Sequence, residues 1–165
     1  MSRRNVIFAV AALGALLASG ELALTLPILN IGPDIAIIVL AAFAIGERPR
    51  TAATAGFVLG LARDLLLTTP KGVGALAYAL TAYGVALLGP SRSAPAVIGT
   101  VVGATFVSQL LFGLGAVLLG PQVDASPLPR VVLLTTAYNA LVAPLLMPLL
   151  RRVIQPESAV QARDL

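Results

Sequence analysis

The sequence predicts an all-α polytopic membrane protein, a bundle of about six transmembrane helices. Hydrophobic residues make up 58% of the 165 residues and charged residues only 11%, and the mean hydropathy is +0.97. A soluble domain carries charge on about a quarter of its residues, so this chain has too few charges to cover a water-exposed surface. Its apolar stretches also approach the roughly 20 residues that a helix needs to cross a bilayer.

Six apolar segments follow one another, and we predict that each forms one helix of a single transmembrane domain of residues 1–154: 5–26, 33–45, 51–67, 73–88, 96–119 and 131–153. Glycine and proline stand in the breaks between them, where helices stop. The start of the first segment also resembles a cleavable signal peptide, but apolar residues resume directly at Leu22, which favours an uncleaved helix. The second segment is short, and the alternative is a re-entrant segment. A re-entrant segment would invert the membrane orientation of everything after it. We expect residues 155–165 to form a polar cytoplasmic tail.

The distribution of basic residues predicts that both termini lie in the cytoplasm. Short cytoplasmic loops retain lysine and arginine. With the N-terminus inside, the opposite face holds Lys71, Arg130 and, near the end of the third helix, Arg63. The cytoplasmic segments then hold eight arginines: Arg3, Arg4, Arg48, Arg50, Arg92, Arg151, Arg152 and Arg163. An even number of spans is required for this result, so six spans and the charge bias support each other.

The composition argues against an enzyme. The chain has no cysteine and no histidine, which excludes disulfides, thiol nucleophiles and imidazole or thiolate metal sites. We find no glycine-rich phosphate loop, no metal-ligand cluster and no pair of carboxylates at a spacing suited to acid and base catalysis. We therefore expect no catalytic residue, no cofactor and no metal. A formal charge of +4 is weak evidence for nucleic acid, and no nucleic-acid partner is expected.

Four ionisable residues lie inside or at the ends of predicted spans: Glu21, Asp34, Arg63 and Asp64. Each costs about 2.5 to 3.5 kcal/mol at the centre of a bilayer unless it finds a partner or water. With both termini inside, all four fall in the outer half of the membrane. Glu21 and Arg63 are close enough to the interface to extend their charges toward water. Asp34 follows Pro33 at the start of the second helix, where a helix cap is the structural explanation.

The third segment carries the most specific pattern. Gly56, Gly60 and Asp64 are spaced by four residues and share one helix face. Small residues let another helix approach closely, so Asp64 is expected to point into the bundle toward an arginine, a hydroxyl or a helix N-terminus. Asn139 in the sixth helix is expected to bond to a neighbouring helix. Our hypothesis is that Asp64, Asn139 and Asp34 form a polar network that fixes the packing of helices two, three and six.

Three stretches of the chain resemble the rod shape-determining protein MreD family. They are PDIAII at residues 33–38, GFVLGLARD at residues 56–64 and AYNAL at residues 137–141. The resemblance covers about residues 25–152, and the family positions carried over are Pro33, Asp34, Gly56, Gly60, Asp64, Gly72 and Asn139. Arg63 beside Asp64 need not belong to this pattern, and it leaves open whether Asp64 is satisfied by its neighbour or by another helix.

The resemblance implies a non-enzymatic subunit of the bacterial cell-elongation complex in the cytoplasmic membrane, which controls cell shape and lateral peptidoglycan synthesis. The implied partners are MreC most directly, with MreB, RodA and the elongation transpeptidase in the same complex, and membrane lipid around them. The family is similar in fold to the S components of energy-coupling-factor transporters. A vitamin- or metal-binding S component is therefore the alternative function. A channel or proton-coupled carrier is disfavoured by the lack of histidine and of a polar stripe that continues to the cytoplasmic side.

Overall fold

The computed structural model describes residues 3–20, 31–66, 70–90, 93–120 and 124–154, and in these ranges the chain is all-α. The predicted all-α class with six helices is confirmed within the described ranges. The helices are α1 (Arg3–Gly20), α2 (Ile35–Ala44), α3 (Pro49–Leu66), α4 (Val73–Leu87), α5 (Ala94–Leu119) and α6 (Leu128–Ile154).

Helix α2 is the centre of the bundle. Every residue from Ala36 to Ala44 is buried, and α2 contacts all five other helices. A helix that is apolar on all sides belongs in such a position. Its 10 residues span about 15 Å, so α2 is short, as the sequence indicated. Phe8 of α1 stacks on Phe43 of α2 with ring centroids 4.2 Å apart.

Helices α3 and α4 form the closest pair in the bundle. A Cβ atom built on Gly56 would lie 2.8 Å from the carbonyl carbon of Tyr78, and one built on Gly60 would lie 2.6 Å from that of Gly74. Any side chain at either glycine would therefore collide with the backbone of α4. The two glycines of the predicted small-residue face allow this backbone contact.

Helices α5 and α6 are the two helices in the described ranges that are long and apolar enough to cross a membrane, with 26 and 27 residues. They pack against each other, and α6 contains Pro144 and Pro148. Before α6, the backbone N–H and hydroxyl of Ser126 donate to Asp124 at 2.9 and 2.7 Å. These bonds lower the pKa of Asp124, since they stabilise the carboxylate.

Helices α2, α3 and α4 alternate in direction. Arg63 near the end of α3 reaches Asp34 at the start of α2, so α3 runs back along α2. The first residues of α4 contact Asp64 near the end of α3, so α4 turns back again. The starts of α2 and α4 therefore share one end of the bundle, and the buried carboxylates of Asp34 and Asp64 lie at that end.

Candidate functional site

Polar side chains from five helices or their caps meet at the start of α2. Five of them are buried, and the sixth, Arg63, is 21% exposed in its side chain. We call this group the Asp34 cluster: Asp34, Arg63, Tyr78, Thr105, Gln109 and Asn139. Each member bonds to a residue of another element, so the cluster connects α2 to α3, α4, α5 and α6.

The carboxylate of Asp34 is the centre of the cluster. It caps α2, because its Oδ1 accepts from the N–H of Ile37 at 3.2 Å. The Tyr78 hydroxyl donates to it from 2.8 Å, and the Gln109 amide donates to Oδ2 at 3.0 Å. Arg63 Nη2 lies 3.4 Å from the same oxygen. A buried carboxylate is tolerated only when its charge is paired and its oxygens are hydrogen-bonded, and both conditions hold here.

Asn139 joins α6 to the start of α2 through both ends of its amide. Its Oδ1 accepts from the backbone N–H of Asp34 at 3.0 Å, and its Nδ2 donates to the carbonyl of Asp34 at 3.0 Å. The same Nδ2 donates to the Thr105 hydroxyl at 2.9 Å. That hydroxyl in turn donates to the carbonyl of Val101 at 2.9 Å. Both hydrogens of the amide and its oxygen therefore have partners.

The guanidinium of Arg63 lies inside the bundle instead of extending toward water, which corrects the interfacial placement allowed by the sequence. It sits over the rings of Tyr78 and Phe112, at 5.3 and 4.9 Å from their centroids. Its buried Nη1 has no hydrogen-bond partner among the described residues. The two ring faces offer it a cation–π environment in place of an acceptor.

Asp64 makes a separate set of bonds at the start of α4. Its Oδ2 accepts from the N–H groups of Gly72 and Ala75 at 2.8 and 3.1 Å, and its Oδ1 accepts from that of Gly74 at 3.0 Å. In return, the Lys71 ammonium donates to the backbone carbonyl of Asp64. A carboxylate at a helix N-terminus satisfies free N–H groups and interacts favourably with the helix dipole. The side chain of Asp64 thus caps α4 from α3.

The structure brings only some of the predicted site residues together. Asp34 and Asn139 are bonded to each other, whereas Asp64 is satisfied by another helix, with its neighbour Arg63 turned to Asp34. Gly72 is the N-cap of α4 with φ of 95°, a conformation that favours glycine. Glu21 lies outside the described residues.

Sequence reasoning did not predict the bonds made by Tyr78 and Thr105. Tyr78 is fully buried and fits packing as well as recognition when only the sequence is considered. A signal was present for the α5 residues, because Thr105, Gln109 and Phe112 follow the i, i+4, i+7 spacing of one helix face. Thr105 and Gln109 bond to other members of the cluster, and the ring of Phe112 lies under Arg63.

The arrangement positions helices and presents no exposed reactive group. The carboxylate and amide of the cluster bond to other protein groups, and no group of three or more potential metal ligands occurs in the described part of the chain. The fold and the cluster therefore define an α-helical bundle that is held together by buried polar bonds between helices and contains two helices long and apolar enough to cross a membrane in its described ranges.

The chain matches the family model of the rod shape-determining protein MreD over residues 3–156. It belongs to this family, and the family suggested by the sequence motifs is confirmed. The protein is thus a bacterial membrane protein of the rod shape-determining class. No curated protein and no solved structure is significantly similar to the chain.

Proposed function

We propose that the protein is a non-enzymatic subunit of the bacterial cell-elongation complex, which binds MreC and links it to the wall-synthesis machinery. In this role it controls cell shape and lateral peptidoglycan synthesis. MreB, RodA and the elongation transpeptidase act in the same complex. Membership of the MreD family is the observation that carries the proposal.

The chemistry of the Asp34 cluster supports a scaffold. A catalytic or transport site needs polar groups that are free to meet a substrate, whereas the Asp34 carboxylate already accepts from Ile37, Tyr78 and Gln109. Such a network fixes the relative positions of helices and so the surface that the bundle offers to a partner. On that surface, Leu141 and Leu145 of α6 are 72% and 78% exposed, which suits lipid or a partner helix.

A purification from the native host in mild detergent tests the function. The tagged chain should recover MreC together with the polymerase RodA. An equally abundant, unrelated tagged membrane protein should recover neither. If the tagged chain is well folded and recovers neither partner, the proposed complex is refuted.

An S component of an energy-coupling-factor transporter is the alternative, and the proposed similarity of fold between the two families is its basis. The same purification separates the two functions. A transmembrane coupling subunit with paired ATPases, recovered in place of MreC, would make the chain an S component. The hydrogen bonding of Gln109 and Tyr78 to Asp34 is the structural argument against a substrate at that carboxylate.

We further propose six spans in the bacterial cytoplasmic membrane, with residues 1–154 as the transmembrane domain and residues 155–165 as a cytoplasmic tail. The chain has no cysteine, so each introduced cysteine is the only thiol. Cysteines replacing Ser91 and Ser158 should resist an impermeant thiol reagent in intact cells, and one replacing Ser126 should react. Labelling of Ser91→Cys would contradict the six-span topology.

A further inference from the structure

Six arginines of the described chain lie at the end of the bundle opposite to Asp34. They stand in pairs at the start of α1, around the start of α3 and at the end of α6: Arg3 and Arg4, Arg48 and Arg50, and Arg151 and Arg152. Glu47 is the one described acid at that end. The remaining described charges are three acids and three bases: Asp34, Asp64, Asp124, Arg63, Lys71 and Arg130. The net positive charge of the described chain is therefore concentrated at one end of the fold.

The packing of the helices places the three pairs at the same end. Phe8 in the second turn of α1 stacks on Phe43 near the end of α2, so α1 starts where α2 ends. Helix α3 begins there as well, since four residues separate it from α2. Helix α6 starts at the opposite end, because Leu128 packs on Gly113 near the end of α5, which lies against the start of α4. The end of α6 therefore joins the starts of α1 and α3.

The three pairs are also neighbours around that end. Helix α1 contacts both α3 and α6, and α3 and α6 do not contact each other in the described ranges. The pairs thus follow one another on α3, α1 and α6. We call these six residues the arginine arc. Residues 48 and 152 are more than 100 positions apart in the sequence, so only the fold brings their charges to one side of the bundle.

Three arginines of the arc are available to a partner. Arg48, Arg50 and Arg152 are exposed, and none of them has an ion-pair partner in the part of the chain that the structure describes. Arg151 is partly buried and makes a contact of its own, so it is not counted with them. Glu47 accepts the backbone N–H of Arg48 at 3.3 Å, and one acid cannot neutralise six cations. Since a guanidinium binds phosphate through paired N–H groups, the arc suits a phosphate-bearing ligand.

The surface beside the arc is apolar. Leu149 and Val153 of α6 are exposed and lie within one turn of Arg152, and Val6 and Val10 of α1 are exposed just after the first arginine pair. Cations at the edge of an outward-facing apolar surface match a phospholipid, whose charged headgroup adjoins its hydrocarbon chains. An acidic protein surface would meet the charges alone. The combination therefore favours a lipid.

We propose that the arginine arc binds anionic phospholipids of the surrounding membrane, with their phosphates on Arg48, Arg50 and Arg152 and their acyl chains along α1 and α6. Each cation near an anionic membrane surface favours binding roughly fivefold. The proposal depends neither on the proteins that the chain binds nor on which side of the membrane the arc faces. Its failure would leave the proposed function and the proposed topology untouched.

The absence of tryptophan allows a direct test in vesicles. Leu149→Trp places the only indole beside the arc, and Leu133→Trp is its matched control near the other end of α6, since the two leucines are 59% and 62% exposed. The full-length variants are reconstituted in mixtures of phosphatidylglycerol and phosphatidylcholine in which one lipid carries brominated acyl chains, and quenching of fluorescence is measured. Arg152→Gln removes the nearest exposed cation, and Arg130→Gln removes an exposed cation from the first turn of α6.

In Leu149→Trp, brominated phosphatidylglycerol should quench at a mole fraction at least fivefold lower than brominated phosphatidylcholine. Adding Arg152→Gln should reduce this preference roughly fivefold, and adding Arg130→Gln should leave it unchanged. Leu133→Trp should show a weaker preference that Arg152→Gln does not alter. Equal quenching by the two lipids in Leu149→Trp, or a preference that Arg152→Gln does not reduce, would overturn the proposal.

Salt gives a test that needs no arginine variant. Raising the salt concentration from 0.1 to 1 M shortens the Debye length from about 10 to about 3 Å. The preference of Leu149→Trp for phosphatidylglycerol should therefore largely disappear. A preference that is independent of salt would contradict recognition of the headgroup charge.

Lipid retention tests the arc as a whole. The unsubstituted protein, washed in detergent, should retain phosphatidylglycerol by mass spectrometry of extracted lipid. The triple variant Arg48→Gln/Arg50→Gln/Arg152→Gln should retain at least fivefold less, and the corresponding triple lysine variant, which keeps the charges, should retain most of it. Equal retention in the parent and in the glutamine variant would refute the role of the arginines. If the parent retains no phosphatidylglycerol but binds polyglutamate, the arc serves an acidic protein and the lipid proposal is wrong.

Discussion

Replacement of Asp64 by asparagine tests whether a side chain of α3 holds the start of α4. One oxygen of the carboxylate accepts from Gly72 and Ala75, and the other accepts from Gly74. The asparagine oxygen can keep the first two bonds, but its NH₂ group then faces the N–H of Gly74. Two donors meet there, and the negative charge at the N-terminus of α4 is lost.

The loss in free energy of unfolding caused by Asp64→Asn follows from these changes. Loss of a hydrogen bond to a charged group costs about 1.5 to 3 kcal/mol, and loss of a charge at a helix N-terminus costs about 0.3 to 1 kcal/mol. Asp64→Asn should therefore lower the free energy of unfolding by about 2 to 4 kcal/mol. Asp64→Ala removes all three acceptor contacts and should cost at least as much. The side chain is fully buried, so water cannot readily replace the carboxylate.

This loss is measured by unfolding the purified protein in mixed micelles as the fraction of dodecyl sulfate rises. Far-ultraviolet circular dichroism monitors the unfolding. Asp124→Asn is the matched control, because this exposed aspartate bonds to nearby Ser126 and should unfold as the parent does. If Asp64→Asn unfolds at the same detergent fraction as the parent, the carboxylate does not hold α4 and the assignment is wrong.

Three further substitutions test the packing and the Asp34 cluster by the same assay. Gly60→Ala puts a methyl group 2.6 Å from the Gly74 backbone and should cost about 1 to 3 kcal/mol, whereas Gly103→Ala, with nothing within 4 Å, should be neutral or stabilising; equal midpoints would contradict the α3–α4 contact. Arg63→Gln should cost about 3 to 5 kcal/mol, because it leaves a buried carboxylate without its cation. The double variant Arg63→Gln/Asp34→Asn should lose less free energy of unfolding than the sum of the losses in the two single variants, and strict additivity would argue against the ion pair. Asn139→Ala removes three hydrogen bonds of about 0.6 kcal/mol each, so a loss well below 1 kcal/mol would show that they contribute little.

The helix face of α3 could be predicted from the sequence, but not its partner. Spacing by four residues places Gly56, Gly60 and Asp64 on one face whatever lies opposite. In the structure all three meet α4, the glycines against its backbone and the aspartate at its N-terminus. The choice of α4 depends on the short connection and on the free N–H groups at its start. The spacing of residues in one sequence does not identify the helix that makes this contact.

The partner of Arg63 was beyond sequence reasoning for a related reason. Its depth in the membrane was compatible with an interfacial charge, with a bond to Asp64 and with a distant carboxylate. Successive side chains on a helix diverge by about 100°, so Arg63 and Asp64 leave α3 in different directions and cannot both reach the N-terminus of α4. With Asp64 committed to the α4 N-terminus, the arginine turns toward Asp34 and the rings of Tyr78 and Phe112. The pairing is thus a consequence of the tertiary packing.

The two aspartates have different reach in the fold. Asp64 links neighbours in the chain, since the partners of its side chain begin eight residues later, and its loss should act mainly on the α3–α4 pair. Asp34 bonds to side chains on other helices that lie 29 to 105 positions further along the chain, from Arg63 to Asn139. One carboxylate is at once the cap of α2 and the partner of side chains from α3, α4 and α5, while α6 holds its backbone. Because α2 contacts every other helix, we expect loss of Asp34 to disturb contacts throughout the bundle, and loss of Asp64 to disturb mainly those between α3 and α4.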